Sequence, residues 1–262
     1  MSAKLLLYIP TYNCENFIYT LLDSIPKNLL SELQLLVVDN QSQDRTVHQI
    51  KQWFKSSNAA GELLIPKKNL GYAGSQKLAY NYFLQHTRLS HILMLHGDNQ
   101  YDPTFIPKFS QYCHFDVVSG VRSKRKYFKQ DETPWITYFI IKTLSLIEST
   151  VLNTPLFEWH SGYVMYSRNF LGRINWHKIT SVPHIDGHLL FVAHSLKMQI
   201  KTIKIYKRYK NLVSFEGLSR LKYVANVFKL MLHFRFTSPS QYSLSDKQSS
   251  WVQADYTVEK FG

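Results

Sequence analysis

The sequence predicts an α/β fold in which a mostly parallel sheet carries helices on both faces, followed by an amphipathic C-terminal helical segment. Three observations predict it. Short, continuous apolar runs alternate with helically spaced stretches through residues 4–121. The runs read as strands of the fully buried kind, because a strand covered on both faces needs apolar side chains at successive positions rather than at alternate ones. Polar residues sit just beyond several of these runs, and in such sheets ligands collect at the carboxyl ends of strands.

The elements follow in chain order. Residues 4–9 form a first strand rather than a signal peptide, since Pro10 breaks the apolar run early. Residues 15–30 have helical spacing, with Phe17, Leu21, Leu22, Ile25 and Leu29 on the apolar face. Residues 33–38 form a second strand, closed by Asp39, Asn40, Gln41 and Ser42, and residues 46–54 return to helix. A short strand at 62–65 stops before Pro66. Residues 71–85 suit a helix with Leu78, Tyr82 and Phe83 inward. The strand at 91–95 ends at Gly97-Asp98, and 116–121 is a further strand.

The second half is less regular. Residues 122–133 read as a basic loop carrying Arg122, Lys124, Arg125, Lys126 and Lys129. Residues 135–152 are strongly apolar but interrupted by Lys142 and Glu148. Strand character returns at 158–168, helix at 186–196 and strand at 199–205. On a helix over 218–236, Lys222, Asn226, Lys229 and His233 form one narrow polar stripe in a wide apolar arc. That pattern suits a bilayer interface, and equally a core or dimer helix. The polar residues after it have no clear period and read as a loose tail. The expected division is one α/β domain over 1–215, then the helix and tail over 216–262.

Composition bounds the function. Of 262 residues, 45% are hydrophobic and 19% charged, which excludes disorder as the overall class. No uninterrupted apolar run reaches the ~18 residues of an ordinary spanning helix. Two cysteines, Cys14 and Cys113, leave no disulfide framework and suit a reducing, cytoplasmic setting. A net charge of +13 attracts polyanions: nucleic acid, an anionic membrane surface or phosphorylated substrates. Aromatics at 15% serve base stacking or seating at a membrane interface.

The sharpest local feature is His96-Gly97-Asp98-Asn99-Gln100-Tyr101-Asp102-Pro103, directly after an apolar strand. It gathers nitrogen and oxygen donors on one turn, which suits a hard cation held between protein and phosphates; a lone Asp there is otherwise a turn former or helix cap. Pro10-Thr11-Tyr12-Asn13 and Val37-Val38-Asp39-Asn40-Gln41-Ser42 each read alone as a strand leading to a capped helix. Asn69-Leu70-Gly71-Tyr72-Ala73-Gly74 offers glycines where backbone can approach a ligand, without being a P-loop or a dinucleotide fingerprint.

In this order and spacing, these segments resemble family 2 glycosyltransferases of the GT-A fold, most closely the branch with dolichol-phosphate mannose synthase and bacterial polyprenyl-phosphate sugar transferases. Glu158-Trp159-His160-Ser161-Gly162-Tyr163 and Tyr206-Lys207-Arg208-Tyr209 resemble that family's later motifs, so the likeness spans residues 4 to 235. The resemblance implies a nucleotide-sugar pocket lined by Pro10, Thr11, Tyr12, Glu15 and Gly71, with Asp39 near the base or ribose and Lys77 on the diphosphate. It implies a metal, Mn²⁺ or Mg²⁺, on Asp98 and Gln100. His96 stands where the commonest members carry Asp, either as a further ligand or as pocket wall. Arg122, Arg125, Ser161 and Arg208 fall in the expected acceptor-phosphate region, with Lys210 beside them.

The implied reaction is inverting transfer of a hexose from a nucleoside diphosphate sugar. The acceptor divides two readings. A polyprenyl phosphate is already ionised and needs no base; the basic residues and apolar helices favour it and imply peripheral attachment at the inner membrane face. A saccharide hydroxyl needs a general base, and Asp186 stands where the wider family often holds one, though it also suits a helix cap. A nucleic-acid-binding protein and an inactive interaction module are the remaining readings. No RNA or DNA motif supports the former, so nucleic acid is not expected as a partner.

Overall fold

The computed structural model describes residues 5–123, 129–155, 158–181, 184–209, 218–244 and 254–262. Its strands are β1 (Leu5–Thr11), β2 (Leu33–Asp39), β3 (Gly61–Pro66), β4 (His91–Met94), β5 (Val117–Arg122), β6 (Val164–Ser167), β7 (Ile200–Ile205) and β8 (Tyr256–Phe261). Its helices are α1 (Ile18–Asp23), α2 (Lys27–Leu30), α3 (Thr46–Ser57), α4 (Gly71–His86), α5 (Ile106–Ser110), α6 (Trp135–Leu152), α7 (Arg168–Leu171), α8 (Ile185–Ser195) and α9 (Leu218–Phe236). Among the described residues the strands form one sheet in the order β7-β5-β6-β4-β1-β2-β3-β8.

The apolar runs are continuous because they serve two cores at once. Side chains alternate across a strand, so Leu6 and Tyr8 of β1 join Leu36 and Val38 of β2 under α4 and α8. Leu5, Leu7 and Ile9 join Leu35 and Val37 under α1, α3 and α5 on the other face. Strand pairing then fixes where polar ends gather. β1 pairs in parallel with β2 and β4, and β2 with β3. β6 runs antiparallel to both β4 and β5, and β5 runs parallel to β7. The carboxyl ends of β1, β2, β4, β5 and β7 and the entry into β6 therefore share one edge of the sheet.

Three expectations change. The helix expected over 15–30 is two short helices, because Pro26 lacks the amide that would continue the first and instead precedes α2. The strand expected over 158–168 is only β6; the backbone at 158–162 is irregular because its groups bond side chains, as when Gly162 N–H meets the Tyr101 hydroxyl at 3.0 Å. The polar C-terminal segment, expected as a loose tail, ends in β8, antiparallel to β3 at the sheet edge. Phe261 stacks on Phe54 with ring centroids 4.4 Å apart, while exposed charged residues at Glu259 and Lys260 blunt the open edge. The expected boundary at 215/216 lies outside the described residues. The helix over 218–236 is present as α9 and lies against α6. It buries Val227, Met231 and Phe234, one inward stripe at helical spacing, and exposes Lys222, Lys229 and His233.

Candidate active site

The shared edge is stitched by backbone. Leu95 N–H donates to Tyr8 O at 2.8 Å, Gly97 N–H to Pro10 O at 3.0 Å and Asn40 N–H to Thr11 O at 2.9 Å. The loops after β1, β2 and β4 thus leave the sheet side by side. Asn13 and Asn99 take left-handed backbone (φ 48° and 58°), which asparagine tolerates. Position 97 demands glycine: a Cβ there would lie 2.8 Å from the Pro10 carbonyl oxygen and from Thr11 Cγ2.

On the β1–β2 side, Asp39 is wholly buried, and its carboxylate accepts from Thr11 Oγ1 (3.0 Å), Ser42 N–H (2.9 Å) and Ser42 Oγ (2.6 Å). Through these bonds Asp39 ties the end of β1 to the loop after β2. Tyr12, 53% exposed, offers an open ring there. Glu15 accepts from Arg45 N–H at 2.9 Å and caps the approach to α3. Gly71 opens α4 with φ +68°, and its N–H donates to Asn69 Oδ1 at 2.8 Å. Lys77 departs from its expected diphosphate contact. Its buried ammonium donates to Ile179 O (2.7 Å) and Ser181 Oγ (3.2 Å), fastening α4 to the segment ahead of α8.

At the centre, α4, α8 and the loop after β4 converge. Tyr72 donates its hydroxyl proton to Asp186 Oδ2 at 2.8 Å, and Gln76 Nε2 donates to the same oxygen at 3.2 Å. The Tyr72 oxygen lies 3.2 Å from His96 Nε2. Because Tyr72 gives its proton to Asp186, it accepts from His96, so Nε2 carries the hydrogen. Burial, offset by Asp98 and reinforced by Lys207, lowers the His96 pKa to about 4 and keeps the ring neutral. His96 packs edge-on against Tyr72 and Tyr101. Burial raises Asp186 to about 6 despite those hydrogen bonds, and its Oδ1 has no hydrogen-bond partner. Asp186 sits in the first turn of α8 without capping it, which sets aside the helix-cap reading.

Gly162 lies over His96, and a Cβ there would come within 2.5 Å of Nε2. Gly162→Ala is expected to push the ring off Tyr72 and lower kcat/KM by about 10²-fold, the order a small misplacement costs. Circular dichroism and steady-state rates on one preparation check this.

The acceptor side differs from expectation at Arg122. Its guanidinium is buried and committed: Nε lies 2.9 Å from Glu158 Oε1, and one terminal nitrogen donates to His160 O at 2.7 Å. It braces the 158–162 segment and leaves no open fork for a phosphate. Ser161 is buried and accepts from Tyr163 N–H at 3.3 Å. Arg208 pairs with Asp102, which also accepts from the Tyr206 hydroxyl; its side chain stays 38% exposed at the edge. Asp98 and Gln100 are half-buried, with Asp98 Oδ1 accepting from Gln100 N–H at 3.1 Å. Arg125, Lys124, Lys126 and Lys210 lie outside the described residues. Lys207 had no role on sequence grounds. Its ammonium sits over the Tyr101 ring at 4.9 Å, near His96 and Asp98, with a pKa lowered by burial.

Residues 7–174 match the family model described as glycosyl transferase family 2. The chain belongs to that family. This family 2 glycosyltransferase has the GT-A fold, as its structural likenesses bear out. Glucosyl-3-phosphoglycerate synthase from Mycobacterium tuberculosis, solved with phosphoglyceric acid, aligns at a TM-score of 0.64 and 16% identity over 88% of this chain and 80% of that one. A Pyrobaculum calidifontis mannosyltransferase solved with GDP-Man and Mn²⁺ aligns at 0.63 and 18%, over 89% and 65%. TarS residues 1–349 of S. aureus align at 0.56 and 18%, over 88% and 65%. No curated protein matches the sequence.

Proposed function

We propose that the protein moves a sugar from a nucleoside diphosphate sugar to an acceptor hydroxyl, with inversion, using Asp186 as general base and a divalent cation at Asp98. The observation that carries this reading is the buried Asp186 carboxyl, raised to about 6, with one oxygen unpartnered and the other fixed by Tyr72 and Gln76. A hydroxyl is a poor nucleophile until its proton is taken, and a base serves best with a pKa near the working pH. The acceptor oxygen attacks the anomeric carbon, its proton passes to Asp186 Oδ1, and the bond to the diphosphate breaks with its electron pair leaving on the nucleoside diphosphate.

The donor class is supported by the family and by similar folds solved with UDP-glucose or GDP-Man together with Mn²⁺. Mn²⁺ or Mg²⁺ suits the half-exposed Asp98 carboxylate and the Gln100 amide oxygen. His96 turns its Nε2 toward the Tyr72 hydroxyl at 3.2 Å, which leaves Nδ1 as the ring atom open to a cation. When bound, the cation neutralises charge on the leaving diphosphate; Lys207 and Arg208 stand at the same edge to add to that field. Asp98→Ala is expected to abolish Mn²⁺-dependent thermal stabilisation by UDP- or GDP-sugars and the transfer itself. Unchanged turnover would count against the metal role.

A second reading, transfer to a polyprenyl phosphate at the inner membrane face, has its own support. α6 is the one helix among the described residues long and apolar enough to cross a membrane, and it exposes Trp135, Ile136, Phe139, Ile140 and Leu146. Leu232 and Phe236 of α9 are exposed as well. Such a face suits burial in a lipid surface. An ionised phosphate needs no base, so this reading leaves Asp186 without its role.

A further inference from the structure

We propose that Glu148, His160 and His184 form a buried zinc site, separate from Asp98, that clamps α6 to the acceptor side of the active site. Glu148 comes from α6, His160 from the segment before β6, and His184 from the residue preceding α8. Their ligand atoms lie within 4.8 Å of one another. Glu148 Oε2 is 2.9 Å from His160 Nε2, and Oε1 is 3.0 Å from His184 Nε2. All three side chains are nearly inaccessible, at 1%, 4% and 1% exposure. His160 Nε2 and Glu148 Oε2 approach closely yet are not aligned as a hydrogen bond. Gly187 makes room for this arrangement, since a Cβ there would strike the His184 ring.

The far side of the cluster supplies the second argument. The Tyr223 hydroxyl lies 2.8 Å from His160 Nδ1 and 3.2 Å from His184 Nδ1. With protons alone, both Nε2 atoms must carry hydrogen to face the carboxylate. Tyr223 has one proton to give, so one Nδ1 must carry its own, and the cluster then holds one surplus proton shared between that ring and the Glu148 carboxylate as a buried pair. With a dication, both Nε2 lone pairs bind metal, both Nδ1–H groups donate to the two lone pairs of the Tyr223 oxygen, and each ring is a neutral tautomer. Outer hydrogen bonds of that kind orient ligating histidines. Two imidazoles and one carboxylate are a zinc donor set, and such nitrogen-rich sites favour Zn²⁺ over Mn²⁺. The clamp reaches the chemistry twice: the His160 carbonyl receives Arg122, and His184 stands two residues before Asp186.

The test is zinc content of the full chain, measured by elemental analysis after equilibration with buffered free zinc. One equivalent is expected in the unaltered protein and in Asp98→Ala, with loss in Glu148→Gln and His184→Gln and about 10–100-fold weaker binding in Tyr223→Phe. Should the cluster variants fail to fold, Co²⁺ added to the unaltered protein is expected to give a visible absorption band of a low-symmetry nitrogen–oxygen site, abolished by Zn²⁺. A folded protein that takes up neither zinc nor cobalt, or zinc retained in full by Glu148→Gln and His184→Gln, would overturn the site and leave a proton-linked box.

Discussion

Asp186→Asn is expected to slow transfer to a hydroxyl acceptor by about 10²–10⁴-fold, the range a positioned general base contributes. Asparagine keeps the shape and can still accept from Tyr72, but it cannot take the proton. In the unaltered protein the rate should rise with pH through about 6 and then level, as Asp186 ionises. Stability should move the other way. A carboxyl raised from 3.8 to about 6 stabilises the folded state only while protonated, so its contribution is present below about pH 4 and lost as pH climbs through the folded value. At ~1.4 kcal/mol per unit, the cost at neutral pH is at most about 3 kcal/mol. Asp186→Asn should therefore unfold at higher urea than the unaltered protein near neutrality, and at a similar urea concentration in acid. A slow but stabilised variant is the signature of a group kept charged for chemistry. A variant that transfers at the full rate to a phosphate acceptor would instead favour the lipid-phosphate reading.

Glu158→Ala is expected to destabilise the fold by about 3–5 kcal/mol, because it strands the Arg122 guanidinium in a dry interior. Glu158 pairs with Arg122 through Oε1, 2.9 Å from Nε, accepts from the Arg122 backbone N–H at Oε2, and faces Lys142 Nζ at 3.4 Å. Burial alone would raise its pKa; Arg122 and Lys142 outweigh burial and hold it below the usual glutamate range. The pair's stabilisation is thus present above the ordinary glutamate pKa and lost as pH falls through the folded value. Urea unfolding across the acid range checks both the size and the direction, and Glu158→Ala should flatten the acid limb.

What the sequence made legible follows from physics that is local. β1, β2 and β4 are buried on both faces, so their composition announces them, and the polar residues beyond them mark the working edge. Distance along the chain hid the rest. Asp186 meets Tyr72 across 114 positions, and the Glu148–His160–His184 cluster spans three separate elements. Motif spacing carries no trace of such contacts. Lys77 and Arg122 looked available because a cation in a sequence shows its charge but not its partners. β8 was missed because an edge strand with an exposed, charged face lacks the apolar run that betrays a central one.

The most direct measurement is a crystal structure with Mn²⁺ and an intact nucleoside diphosphate sugar. The account predicts the diphosphate at the carboxyl edge of the sheet, the cation on the Asp98 carboxylate, and the anomeric carbon open to an acceptor within reach of Asp186 Oδ1. A donor seated away from that edge, or a cation that Asp98 does not touch, would contradict it.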